Sequence, residues 1–220
     1  MGVAVTIWAE IRGLYGTDYN SGRRADMGAY QCDGHWENLA RWRGSALGIA
    51  QAFEALAGEV PRSALDVGCG RGTLVRSLQE IGVPTIGVDL AEDIRYSRHC
   101  AIGNAIALPF AMRFDCLVAL DLVEHVPADY QRTLLSELRR VCGRLMFATV
   151  PAEGETREMT TEHGVLNHYI VQAPDWWAAH FAEHGFELVA QGAELSRFGA
   201  PFAHGAANYP FALAVRAREN

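Results

Sequence analysis

The sequence predicts an α/β protein built on an open, doubly wound, mostly parallel sheet with helices on both faces. Three observations carry that expectation. Short apolar runs alternate with amphipathic helical stretches from residue 64 to the end. The run Phe114–Leu120 is near-continuously apolar between turn signals, the pattern of a central parallel strand buried on both faces. The first apolar run, Ala64–Val67, leads through Gly68, Gly70 and Gly72 into a helix opening near Thr73. Glycine there permits a tight turn at positive φ and lets a ligand lie against bare backbone.

The elements follow in order. Residues 1–34 carry Tyr15, Tyr19 and Tyr30 among glycines with Arg23, Arg24 and Asp26. This segment reads either as a lid or as an arm packed on the domain. Trp36, Leu39, Trp42, Ala46, Ile49, Phe53 and Leu56 recur at helical spacing and predict one long helix, stopped by Gly58 and Pro61. His35 and Trp36 stand at its entrance. Residues 1–60 are therefore an N-terminal arm and helix of the same domain as residues 61–220. After the glycine turn, Leu74, Val75, Leu78 and Ile81 line a helix ended by Gly82. Residues 85–88 form a second strand, 91–97 a short helix and 99–102 a weaker strand. Pro127 opens a helix lined by Tyr130, Leu134, Leu138 and Val141, with Arg139 and Arg140 favourably near its C-terminus. Residues 144–150 form the next strand. The polar stretch 152–168 is too long for a simple connector and is a candidate active-site loop. Pro174 and Asp175 open a helix with Trp177 and Phe181 inward, and Gly185 ends it. Residues 186–190 and 210–216 close the sheet as a strand pair.

Composition narrows the function. The 220 residues are half hydrophobic, enough for a sizeable core, and the net charge is −7. No basic run gathers charge for a nucleic-acid surface. Five scattered cysteines fit neither a zinc spacing nor a disulfide framework, which points to a reducing cytoplasm. No apolar run reaches membrane-spanning length. The start Met1-Gly2-Val3-Ala4-Val5-Thr6 fits only the loose myristoylation pattern.

In a doubly wound sheet, ligands bind at the carboxyl ends of strands where the winding reverses. The glycine turn, Asp89, Asn104 and Asp121 all fall at strand carboxyl ends. Asp89 stands at a distance from the glycines that suits a carboxylate reaching ribose hydroxyls. Position 73 is threonine where the dinucleotide fingerprint has glycine or alanine, and the phosphate-cradling Gly-Lys-Ser/Thr loop is absent. Asp66, just before the glycines, repels phosphate and welcomes a cation. A ligand with a ribose, no phosphate and a positive amino group fits better than NAD.

Here the chain resembles the class I S-adenosylmethionine-dependent methyltransferases. The resemblance rests on Leu65-Asp66-Val67-Gly68-Cys69-Gly70-Arg71-Gly72, then Gly87-Val88-Asp89-Leu90, Gly103-Asn104-Ala105 with Leu108-Pro109-Phe110, and Phe114-Asp115 through Glu124-His125-Val126. It implies a Rossmann-like seven-stranded sheet whose last strand is antiparallel, and S-adenosylmethionine as cofactor. It further implies that Gly68, Cys69 and Gly70 pass under the methionine moiety and that Asp89 binds both ribose hydroxyls, with Asp66 and Leu90 as further cofactor-binding candidates. Asn104 and Ala105 would frame the adenine, with Asp121 and Leu122 along the cofactor. The family usually has aspartate at position 104, where an amide can still donate and accept.

The resemblance implies methyl transfer to oxygen or nitrogen of a small-molecule acceptor, in the style of enzymes acting on sugars or natural products. The segment that amide- and base-methylating members carry after the central strand is replaced by Asp121-Leu122-Val123-Glu124. Histidine titrates near neutral pH, so His125, His168 and His163 are the candidate bases. No carboxylate cluster suggests a metal. A binding protein of this fold without transferase activity, and an NAD-dependent oxidoreductase, are the alternatives. No nucleic-acid or membrane partner is expected, and a homodimer stays open.

Overall fold

The computed structural model describes residues 39–90, 98–151, 168–202 and 208–215. The tyrosine-bearing arm, His35 and Trp36, the expected helix at 91–97 and His163 lie outside the described residues, as does most of the expected active-site loop.

The first described element is α1 (Leu39–Ala57), which carries Trp42, Ala46, Ile49, Phe53 and Leu56 of the stripe read from the sequence. β1 (Ala64–Val67) is buried throughout and runs into α2 (Thr73–Glu80). β2 (Thr85–Asp89) and β3 (Cys100–Ile102) follow, then β4 (Phe114–Leu120). A single 3-10 turn, Val123–His125, precedes α3 (Ala128–Val141) and β5 (Cys142–Pro151). The chain closes with α4 (Pro174–Glu183), β6 (Phe186–Gln191), α5 (Ala193–Ser196) and β7 (Asn208–Val215).

The seven strands form one sheet in the order β3-β2-β1-β4-β5-β7-β6. β1 pairs in parallel with both β2 and β4, so the winding reverses at β1/β4. β7 runs antiparallel to both β5 and β6, which makes it the one antiparallel strand.

Alternation along the central strands sorts side chains between two cores. Leu117 and Ala119 of β4 join Met146, Ala148 and Val150 of β5 in the core covered by α3 and α4. Cys116, Val118, Leu145 and Phe147 face the opposite core with Ala46, Ile49 and Phe53 of α1 and Leu74 and Leu78 of α2. A strand buried on both faces needs apolar residues at every position, and Phe114–Leu120 supplies them apart from the half-buried Asp115.

Several expected boundaries move. β3 begins at Cys100 instead of His99. β5 begins at Cys142, two residues early, where Cys142 pairs with Phe114 beside a register shift and a β-carbon at Gly143 would lie 2.8 Å from Phe114 O. β7 begins at Asn208 and includes Pro210. α5 was not foreseen, since a single helical turn has no periodicity to read.

Candidate active site

The carboxyl ends of β1, β2 and β4 meet at the reversal of the winding. Gly68, Gly70 and Gly72 have φ of 81°, 52° and 79°, the left-handed region that a β-carbon disfavours. The turn is pinned to the neighbouring strand by Gly68 N–H and Cys69 N–H, which donate to Val88 O at 2.8 and 3.2 Å. Gly70 N–H donates to Asp89 Oδ2 at 2.7 Å. A β-carbon at Gly68 would come within 3.1 Å of Leu122 Cδ1, so the turn and the end of β4 face each other closely.

Asp66 sits behind this turn and is only 4 % exposed. Burial, with smaller pushes from Cys100 and Asp89, drives its carboxyl well above the usual carboxylate range. In the protein alone, burial therefore favours the protonated acid.

Asn104 lies beyond β3, half-buried. Its Oδ1 accepts from Ile106 N–H at 3.1 Å, which commits the acceptor side of the amide to its own turn. Ala105, Leu90 and Leu122 are also half-buried. The segment past Asn104 is anchored by α3. Glu137 accepts from Leu108 N–H at 2.8 Å, and Arg140 donates to Leu108 O at 2.9 Å and also to Phe110 O. Arg140 thus serves this clamp, a role its place near the helix end does not reveal.

Asp121 is the one described non-glycine residue at positive φ, 49°. Its N–H donates to Thr149 Oγ1 at 2.9 Å, and Thr149 Oγ1 donates back to Asp121 Oδ1 at 2.6 Å. Thr149 lies opposite Leu120 on β5. Sequence reading missed it, because a threonine in an apolar run reads as an ordinary strand residue.

After Asp121 the 3-10 turn sets Glu124 and His125. Gln131 of α3 holds it by donating to Val123 O at 2.7 Å and Val126 O at 2.8 Å. The backbone of residues 168–170 docks here, with Tyr169 N–H and Ile170 N–H donating to Glu124 O at 2.8 and 3.3 Å. That docking brings His168 to His125, ring centroids 4.7 Å apart and edge-on. Glu124 Oε1 lies 3.8 Å from His125 Nε2. One ligand atom from each of Glu124, His125 and His168 lies within 4.8 Å of the others, a grouping that could share a proton or hold a cation. Burial raises Glu124 well above the carboxylate range, with a further push from Asp121, and lowers His168 below its usual value. Glu124 Oε2 and His168 Nδ1 are buried with no hydrogen-bond partner among the described residues. His180 instead stacks on the exposed Trp176, centroids 4.7 Å apart, and belongs to the α4 surface.

The arrangement fits S-adenosylmethionine. Asp89 offers a half-buried carboxylate to hydroxyl donors, the glycine turn offers bare backbone, and a cation beside Asp66 would compensate the charge that burial disfavours. When bound, the cofactor supplies an activated methyl group.

Comparison with known proteins agrees. A family model described as a methyltransferase domain matches residues 39–196. The ubiquinone biosynthesis O-methyltransferase of Methylococcus capsulatus is 32 % identical over 108 residues, covering 43 % of this chain and 44 % of that protein. The match thus spans less than half of that relative's length. Solved methyltransferase structures share the fold, among them two that align over most of both chains. Magnesium protoporphyrin IX methyltransferase from Synechocystis PCC 6803, with bound S-adenosylhomocysteine, superposes with TM-score 0.64 at 14 % identity, covering 95 % of this chain and 99 % of that one. The 1,6-didemethyltoxoflavin-N1-methyltransferase of Burkholderia thailandensis gives 0.61 at 18 % identity, covering 91 % and 90 %. The NAD reading gives way to these matches: the chain belongs to the methyltransferase domain family, as a class I S-adenosylmethionine-dependent methyltransferase.

Proposed function

We propose that this enzyme methylates an oxygen or nitrogen of a small-molecule acceptor held against His125 and His168. The observation that carries the reading is the pair of orphaned buried atoms, Glu124 Oε2 and His168 Nδ1, beside the carboxyl end of β4. Buried polar atoms without partners are costly, and an acceptor's hydroxyl or amine would satisfy them. The names of the relative and of the B. thailandensis structure, an O- and an N-methyltransferase, support the same atom types.

On this reading Asp89 holds the ribose hydroxyls, with Leu90 beside it. Asp66, Gly68, Cys69 and Gly70 underlie the methionine end. Asn104 and Ala105 border the adenine, and Asp121 and Leu122 flank the cofactor. Methyl transfer is an in-line displacement, so the main work of these residues is alignment and exclusion of water, which contributes up to roughly 7–11 kcal/mol in well-oriented cases. His168, kept neutral by burial, takes the acceptor's proton through Nδ1, and His125 orients it. His163, outside the described residues, is the third candidate base. The acceptor class is a sugar or natural product, and the enzyme works in the cytoplasm.

The test is incubation of the protein with methyl-labelled S-adenosylmethionine and a panel of hydroxylated aromatics, sugars and amines. The expected result is label in one small acceptor at oxygen or nitrogen. Transfer only to protein or nucleic acid would overturn the assignment.

A further inference from the structure

We propose that Cys69 and Cys100 form a reversible redox site: a peroxide joins them in a disulfide that deforms the glycine turn and weakens methyl-donor binding. The inference rests on the placement of the donor over that turn, proposed above.

The two thiols come from different elements. Cys69 lies between Gly68 and Gly70, and Cys100 opens β3. They meet over Gly87 of β2, whose register partners are Asp66 on one side and Cys100 on the other. A β-carbon at Gly87 would lie 2.7 Å from both Cys69 Sγ and Cys100 Sγ. The sulfurs are therefore within about twice that distance of each other. Gly87 is absent from the positive-φ residues, so its backbone does not require glycine. The space does, because any side chain there would part the thiols. Neither cysteine is in a disulfide, and neither thiol group takes part in the proposed transfer chemistry.

Exposure orders the chemistry. Cys100 is half-buried, whereas Cys69 is 6 % exposed. The Cys100 sulfur attacks hydrogen peroxide, the O–O bond breaks, and Cys100 becomes a sulfenic acid with release of water. The Cys69 sulfur then displaces the hydroxyl from Cys100, an S–S bond forms, and a second water leaves with the Cys69 proton. Two thiols are oxidised by two electrons and one peroxide is reduced. The neighbouring Cys100, burial and the nearby Asp66 and Asp89 all raise the Cys69 thiol, so the second step is slow at neutral pH. A bond between the sulfurs draws Cys69 toward β3. It moves Gly70 with it, whose N–H is bound to Asp89 Oδ2. The turn and the ribose carboxylate are displaced together.

The test treats the full chain with hydrogen peroxide, maps its peptides by mass spectrometry, and titrates S-adenosylhomocysteine by calorimetry before and after. The expected product is a Cys69–Cys100 cross-link, lighter by about 2 Da for the two lost hydrogens. Affinity should fall by about tenfold or more and return on treatment with dithiothreitol. The Cys100→Ser chain should bind the ligand as the reduced protein does and keep its affinity through the same treatment. Sulfinic acid at either residue without a cross-link, or a cross-link through Cys32 instead, would overturn the proposal. So would a Cys69–Cys100 cross-link that leaves affinity unchanged. Failure of the reduced chain to bind S-adenosylhomocysteine would count against the donor site itself, and the peptide map would still report whether the disulfide forms.

Discussion

Thr149 and Asp121 close a two-bond ring between adjacent strands. The Thr149 hydroxyl accepts Asp121 N–H at 2.9 Å and donates to Asp121 Oδ1 at 2.6 Å. Asp121 has a φ of 49°, where a non-glycine residue is strained by about 1–2 kcal/mol. The ring holds it there, and with it Leu122 against Gly68. Thr149→Val keeps the shape and removes both bonds. We expect a stability loss of about 1–3 kcal/mol in urea melts, since each bond contributes roughly 1 kcal/mol and an orphaned group adds its own cost. The donor KM should rise, and Thr149→Ser should recover most of both effects. A valine variant with the parent's KM would remove Thr149 from the site.

Asp66 costs stability in the protein alone. Its unfolded carboxyl titrates near 3.8, and its folded value is raised well above that. Between the two values the folded state binds more protons than the unfolded state, so stability falls as pH rises through that window. Asp66→Asn removes this term. The variant should melt at a higher temperature than the parent at pH 8, and the gap should shrink as pH is lowered toward about 4. The same variant should bind S-adenosylmethionine more weakly, because the carboxylate is what favours the amino group. A melting difference independent of pH would show that Asp66 is not held protonated.

His168 is held below its usual 6.5 by burial, so it stays neutral to lower pH than a solvated histidine. If it is the base, kcat should keep its plateau below pH about 6.5 and fall only at more acid values. His168→Ala should lose roughly 10²–10⁴-fold in kcat with donor affinity retained. A variant with the parent's turnover would leave deprotonation to another group or to none.

The strand-end pattern was legible because a parallel sheet places all its carboxyl ends on one edge. Once Ala64–Val67, Thr85–Asp89 and Phe114–Leu120 are strands, Gly68, Asp89 and Asp121 must converge. Near-continuous apolarity marked the central strands, since both faces are buried. The supporting partners were not legible. Gln131, Glu137 and Arg140 sit on a helix whose apolar stripe says nothing about which distant carbonyls or N–H groups its polar residues reach. Thr149 hides in a strand that is otherwise apolar. His125 and His168 were picked by residue type, but their meeting depends on the docking of the 168–170 backbone onto Glu124 O. Asp66 is legible as a carboxyl beside the turn but its protonation is not, because a sequence shows a carboxyl and not its depth.

In the proposed site Asp89 anchors the donor, and Gly70 N–H fixes its carboxylate at 2.7 Å. Hydrogen bonds to a charged group contribute about 1.5–3 kcal/mol. Calorimetric titration of S-adenosylhomocysteine into the parent and Asp89→Ala proteins measures that contribution directly. The expected result is a dissociation constant raised by about tenfold or more, with the variant still folded by circular dichroism. An unchanged dissociation constant in a folded variant would contradict the placement of the ribose at Asp89.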